Sequence, residues 1–329
     1  MDLPLLSALF AAFALTLYGL LDGFDLGVGA LLLAQRDARS RDQMVDAIAP
    51  TWDGNETWLV MAGIALFAGF PIAYGIVLPA LYLPLIVMLL ALAIRGVTFE
   101  FRAQSTEFKR AWDWAFGIAS VVAALAQGTM AGTLILGVHV EAERFAGSVF
   151  DAVNPLALVM GCALLAGYVM LGAGWLRVKG KGELRTFAGH TLRLANLAFL
   201  ALVALAWIEA VAAQPEVRSR LADHWIGFSL LAILALVSAA TALRSVTGHS
   251  DLKPFAFGML QCALAALGVW LVVYPDVVPF RLSLWSAASA QPSHAFLLAG
   301  AAVVTPIVIA YSAFAYRVFR GKTPAEGWE

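Results

Sequence analysis

Charge is what this sequence has least of. Only 13% of its 329 residues are Asp, Glu, Lys or Arg, and the formal balance is -1. No basic block interleaved with aromatics occurs, which excludes a nucleic-acid partner. Cysteine is scarce as well: Cys162 and Cys262 stand in separate apolar segments, which rules out a disulfide or thiolate framework and predicts two buried thiols. A dinucleotide or phosphate loop is missing, because glycine-rich pieces such as "GVGA" fall inside apolar runs where such a loop cannot operate. His139, His190, His224, His249 and His294 all fall in expected loops or at the first turn of a span. None is paired with another at core depth, so they read as hydrogen-bonded surface residues, and no haem ligated by this chain is expected.

What is abundant is apolar length. Hydrophobic residues make up 61% of the chain and the mean hydropathy is +0.83, the composition of an all-α polytopic membrane protein. At about 20 apolar residues per crossing, nine transmembrane helices are expected, at 4–34, 54–73, 75–95, 112–136, 154–176, 191–213, 224–244, 255–275 and 294–319. The second and third are expected to meet in a tight, uncharged turn near Phe70, Pro71 and Tyr74. No linker or second domain interrupts the pattern, so residues 1–329 read as one transmembrane domain. The first segment lacks a positive n-region and a small-residue cleavage site and is expected to be kept as a span.

Orientation follows from the cations. With the N-terminus outside, the inner side collects seventeen Lys and Arg and the outer side keeps four, namely Arg144, Arg218, Arg220 and Arg281. The positive-inside rule therefore predicts a periplasmic N-terminus and a cytoplasmic C-terminus.

Against this background the first span is anomalous, because Asp22 and Asp25 interrupt its apolar run. An Asp at mid-helix costs on the order of 2.5 to 3.5 kcal/mol to insert, so the pair is expected to face protein or water. Their spacing of three puts both on one helical face. Gly19, Gly23 and Gly27 recur every fourth residue, which lets a neighbouring backbone approach. The pair reads either as caps and partners for an adjacent helix or as part of a proton or cation path.

"PTWDGNETW" then opens the second span with Asp53 and Glu56 at i and i+3, and "RGVTFEFR" closes the third with Arg95, Glu100 and Arg102. Asp53 reads as an N-cap or a proton group, and Glu100 as an interfacial ion-pair partner or a proton group. The topology brings Asp22, Asp25, Asp53, Glu56 and Glu100 to one depth on the cytoplasmic side, where five carboxylates would repel unless some hold protons. Trp52, Trp58, Trp112, Trp114 and Trp175 read as interfacial anchors.

"LDGFDLGVG", "PTWDGNETWL" and "RGVTFEFR", in that order, with "WDWAFGIAS" at 112–120 and "NPLAL" at 154–158, resemble the smaller subunit, subunit II, of cytochrome bd-type quinol oxidases. The compact length looks like the short, cyanide-insensitive branch. The resemblance implies a respiratory complex of the bacterial inner membrane that oxidises quinol and reduces dioxygen to water. In that picture a larger subunit I carries haems b558, b595 and d, this chain ligates none, and a small accessory single-helix subunit can be present among the membrane lipids. It further implies two four-helix bundles plus a peripheral helix. By position, Asp53 and Glu100 look like members of a cytoplasmic proton route, with Asp22 and Asp25 in that route or at a cation site. Glu56 is a weaker member, and Trp52 a contact for a structural quinone. Glu100 departs from relatives that carry Asp there. The competing readings are a proton- or cation-coupled secondary transporter, which calls for inverted repeats and midplane breaks, and a purely structural scaffold for the haem subunit.

Overall fold

Prolines and caps set where the helices begin. The computed structural model describes residues 1–105 and 107–323, so the last six residues of the expected domain lie outside the described residues. Helix α1 (Leu3–Leu32) starts with Pro4 in its first turn and Asp2 as N-cap, whose carboxylate accepts from the Leu5 amide at 3.0 Å. A short amphipathic helix α2 (Ala38–Asp46) follows, capped by Asp37. Next come α3 (Trp52–Gly69), α4 (Pro71–Ala80), α5 (Tyr82–Gln104) and α6 (Lys109–Leu136). The second half holds α7 (Pro155–Lys179), α8 (Gly182–Ala213), α9 (Pro215–Asp223), α10 (Trp225–Ser245), α11 (Leu252–Val273) and α12 (Gln291–Val318).

Two small hairpins complete the fold. Strands β1 (Val140–Glu141) and β2 (Arg144–Phe145) pair antiparallel, as do β3 (Asp276–Val278) and β4 (Leu282–Ser283). The first turns through Ala142 and Glu143 at φ 47° and 58°, the positive angles that tight two-residue hairpins require.

Eight of the described helices are long and apolar enough to cross a membrane: α1, α5, α6, α7, α8, α10, α11 and α12. The segment expected to hold two spans and a tight turn is built differently. Pro71 cannot donate a backbone hydrogen bond and disfavours helix in the residue before it, so α3 ends at Gly69 and Phe70 leaves the helical region at φ -137°. The expected turn at 70–74 is instead the start of the ten-residue α4, and the long helix begins at Tyr82 rather than residue 75. That helix continues to Gln104, which puts Arg95 more than two turns inside it rather than at its end. Likewise α8 begins at Gly182, nine residues before the expected 191, so His190 sits within a helix.

Helix α1 is the hub, packed on α3, α6, α7, α11 and α12. Its glycines explain the approach to α7: a Cβ on Gly27 would lie 1.8 Å from the carbonyl oxygen of Tyr168, and one on Gly172 would lie 2.5 Å from the carbonyl carbon of Gly27. Only a bare backbone fits at that crossing.

Several side chains depart from expectation in the same way, because helix rotation rather than depth decides what they touch. Trp58 and Trp175 are buried rather than interfacial, and the indole of Trp175 donates to the Ala47 carbonyl at 2.9 Å. His294 is fully buried, its Nδ1 2.8 Å from the Ser7 hydroxyl. Cys162 is exposed and Cys262 half-buried, both free.

Candidate functional site

The acids of α1 lie on its buried face, and a cation answers them. Asp22 and Asp25 are 0% exposed, and Arg95 of α5 is 1% exposed. A guanidinium nitrogen of Arg95 donates to Asp22 Oδ1 at 2.7 Å and also to the carboxylate of Glu56 on α3. Three helices are thereby tied at one point. Asp25 has a different partner: the amide of Asn55 donates to its Oδ2 at 2.7 Å, and Tyr316 of α12 donates to the Asn55 oxygen at 3.1 Å. Asp22 is thus matched by a charge, whereas Asp25 is met by a neutral amide.

A second polar chain reaches the same face of α1. Tyr168 of α7 donates to Gln127 of α6 at 2.7 Å, and the Gln127 amide donates to the Tyr18 hydroxyl at 2.7 Å. Tyr18 stands one turn before Asp22 on the same face. Within the cluster, Asp22 Oδ2, Asp25 Oδ1, and Arg95 Nε and Nη1 are buried without a hydrogen-bond partner. Buried polar atoms ordinarily find a partner, so these four stand out.

Of the five acids expected to converge, the structure brings together Asp22, Asp25 and Glu56. Asp53 and Glu100 are exposed on the surface of this chain. Helical arithmetic gives the reason: at about 100° per residue, Glu100 points roughly 140° away from Arg95, and Asp53 about 160° away from Asn55. Nor is Asp53 the N-cap. That position belongs to Thr51, which makes no side-chain cap bond, and Asp53 lies in the first turn. Trp52 is half-buried, its ring 5.2 Å from that of Phe99 and 5.9 Å from the Arg95 guanidinium carbon.

Two groups went unread in the sequence. Arg95 looked like an interfacial cation, and only its place well inside α5 reveals it as the counter-charge of the cluster. Asp113 of "WDWAF" is the other. It is buried and accepts from Arg102 at 2.5 Å and Arg41 at 2.7 Å, while Arg102 and Lys109 both reach Asp42 at 2.8 Å. This network ties α2, the end of α5 and the start of α6 together. For Asp42, outside the spanning helices, partial burial pushes the carboxyl up, but the hydrogen bonds from Lys109 and Arg102 outweigh it and hold it below its ordinary value. Among the described residues, no group of three or more His, Cys, Asp or Glu side chains is placed to hold a metal ion.

Comparison with known proteins agrees with this architecture. Residues 3–319 match the family model described as cytochrome bd terminal oxidase subunit II. The cytochrome bd-I ubiquinol oxidase subunit 2 of Escherichia coli K12 is 31% identical, with 99% of this chain and 95% of that protein covered. The cytochrome bd ubiquinol oxidase subunit 2 of Bacillus subtilis is 28% identical over 91% of this chain and 90% of its own length. In fold, the chain is similar to the bd oxidase of Geobacillus thermodenitrificans, at a TM-score of 0.80 and 16% identity, covering 97% of this chain and 99% of that one. With eight apolar helices among the described residues and a buried acid pair facing a buried arginine, the chain belongs to the cytochrome bd terminal oxidase subunit II family.

Proposed function

We propose that this chain supports a larger, haem-bearing subunit of a quinol-oxidising, dioxygen-reducing complex in the bacterial inner membrane, and supplies part of its cytoplasmic proton route. The observation that carries the route is the buried meeting of Asp22, Asp25 and Glu56 around Arg95, with unpaired polar atoms on the acids and the arginine. The haems b558, b595 and d belong to the partner in this reading and supply the redox chemistry. The residues of this chain hold, orient and pass protons.

In this reading α3 is a ninth crossing. Its 18 residues span about 27 Å, and Asp53, Asn55 and Glu56 are what lower its hydropathy. Nine crossings put the N-terminus in the periplasm and the C-terminus in the cytoplasm, and the helices group as two four-helix bundles with one peripheral helix. Asp53 and Glu100, exposed at the cytoplasmic ends of α3 and α5, stand where protons pass between water, this chain and its partner. Glu56, half-buried on α3, links that surface to Asp22 and Asp25 inside. The fixed charge of Arg95 holds Asp22 in place, and a separate cation at the pair would have to compete with it. A structural quinone at Trp52 would meet only the ring face that Phe99 leaves open. A small accessory helix would find room on the exposed apolar faces.

Asp53→Asn tests the route, because it keeps the shape of the side chain and removes its proton exchange. The expected result is an assembled complex with normal partner haems and quinol-driven oxygen uptake, per counted haem d, lowered by about an order of magnitude. Glu100→Gln should show the same loss or a weaker one. Wild-type turnover in both variants would reduce the chain to a scaffold.

A further inference from the structure

The two halves of the charged end of the bundle differ in sign. Beside α1, α3 and α5, residues 36–53 and 100–113 carry six Lys and Arg against seven Asp and Glu. Beside α7, α8, α11 and α12, residues 177–193, 244–253 and 317–322 carry ten against two, Glu183 and Asp251. A general preference for cations at this end does not explain why one half is neutralised and the other is not.

Within the basic half three arginines meet at Gly189 of α8. A Cβ there would lie 2.9 Å from Arg177 Nη1, so the guanidinium, 3% exposed, lies against bare backbone. Arg185 stands one turn before Gly189 and Arg193 one turn after it, on the same face. Among the described residues their ion-pair partner is Asp251, shared among Arg185 at 2.8 Å, Lys322 at 2.8 Å and Arg177 at 3.3 Å. The Arg177 contact lacks hydrogen-bond alignment, which leaves its buried Nε without a partner. Among the described residues, Arg193 has no ion-pair partner and is exposed. Among the described residues the set offers more guanidinium donors than there are acceptors beside it, and planar guanidinium forks match phosphate oxygens.

We propose that this arginine cluster binds the phosphate of an anionic phospholipid. A lipid fits better than a soluble anion because Arg193 is the foot of an exposed apolar stripe: Leu197, Ala204 and Ile208 continue its face along α8. A phosphate held at Arg193 therefore has its acyl chains aligned with that stripe, as basic pockets between helices hold lipid headgroups elsewhere.

The test uses the complete oxidase, stripped of lipid in detergent and titrated with phosphatidylglycerol or phosphatidylcholine under native mass spectrometry, with haem content as the measure of assembly. Wild type should retain one phosphatidylglycerol and no phosphatidylcholine. Arg193→Gln, which breaks no ion pair in the described structure, should weaken phosphatidylglycerol about fivefold, the share of one cation at a membrane surface, with haem content unchanged. Equal retention of the two lipids, or unchanged phosphatidylglycerol binding in Arg193→Gln, would overturn the proposal. The readout is independent of turnover, so its failure is distinct from a failure of the proton route.

Discussion

Replacing Arg95 by Gln should unbalance the buried cluster more than any change to an acid in it. The guanidinium is 1% exposed and faces Asp22, itself 0% exposed, at 2.7 Å, with Glu56 as its second partner. Glu56 keeps 28% of its side chain exposed and can be rehydrated, so the loss falls on Asp22. Breaking a buried pair from one side costs about 3–5 kcal/mol, because the remaining charge has no partner. An unfolding entropy of about 2.1 cal/mol/K per residue, taken over the length of this chain, turns that into a fall in Tm of roughly 4–7 °C. The assay is thermal unfolding of the whole oxidase in detergent, followed by size-exclusion chromatography of surviving complex. Combining Arg95→Gln with Asp22→Asn removes both charges and should recover most of the loss. A single variant within about 1 °C of wild type, or a double variant no better than the single, would refute the reasoning.

The α1–α7 crossing makes a sharper steric prediction. Gly27→Ala places a methyl 1.8 Å from the Tyr168 carbonyl and should cost about 1–3 kcal/mol and lower the yield of complex, whereas Gly63→Ala, with nothing within 4 Å, should be silent. Asp113→Asn leaves Arg102 and Arg41 short of a buried acceptor and should loosen α2, read as faster deuterium uptake in residues 38–46 with the core helices unchanged. At Asp251, partial burial pushes the carboxyl up, but hydrogen bonds from Arg185 and Lys322 outweigh it and hold it below its ordinary 3.8. Because the folded value is the lower one, the stabilisation is complete above 3.8 and is lost as pH falls through the folded value. The amide of Thr323, bonded to the Lys179 carbonyl at 2.9 Å, should therefore stay protected at neutral pH and exchange faster only in the acid range below about pH 4. Uniform protection throughout that range would refute the link.

How far the sequence foretold all this depends on the kind of information involved. Apolar length is additive along the chain, so the long helices were legible. Spacing is local, so Gly19, Gly23 and Gly27 announced a close helix contact, and Asp22 and Asp25 a shared buried face. Rotation between helices is neither additive nor local. Nothing in "RGVTFEFR" says whether Arg95 or Glu100 turns inward, since they differ by five residues, and the answer depends on where α5 starts. That start was itself hidden, because Pro71 signalled a break but not that a separate ten-residue helix would follow it. The same ambiguity sent Trp58, Trp175 and His294 into the interior when their depth alone suggested a surface.

The unequal charge of the two halves bears on the proposed proton route as well as on the proposed lipid site. A proton that enters near Asp53 or Glu100 crosses water within about a Debye length, near 8 Å at physiological salt, of the surrounding side chains. A cation excess like that of the other half, ten against two, would at that distance raise the local potential and deplete protons at the mouth. The structure instead ties three of the six cations there to acids, Arg102 and Lys109 to Asp42, and Arg102 and Arg41 to Asp113, and the seven acids of this half offset the rest. The excess positive charge stands on the far half, around Asp251, where it can hold an anionic headgroup without opposing proton entry. Under the proposed route, the neutral half is therefore a requirement of turnover and the basic half a requirement of seating in the bilayer. The two are separable: Asp42→Asn should slow oxygen uptake at low ionic strength and recover in high salt, because screening removes the unmatched cations it exposes, while Arg193→Gln should leave that salt dependence unchanged. A loss in Asp42→Asn that salt does not relieve would show that Asp42 acts through structure rather than through its field.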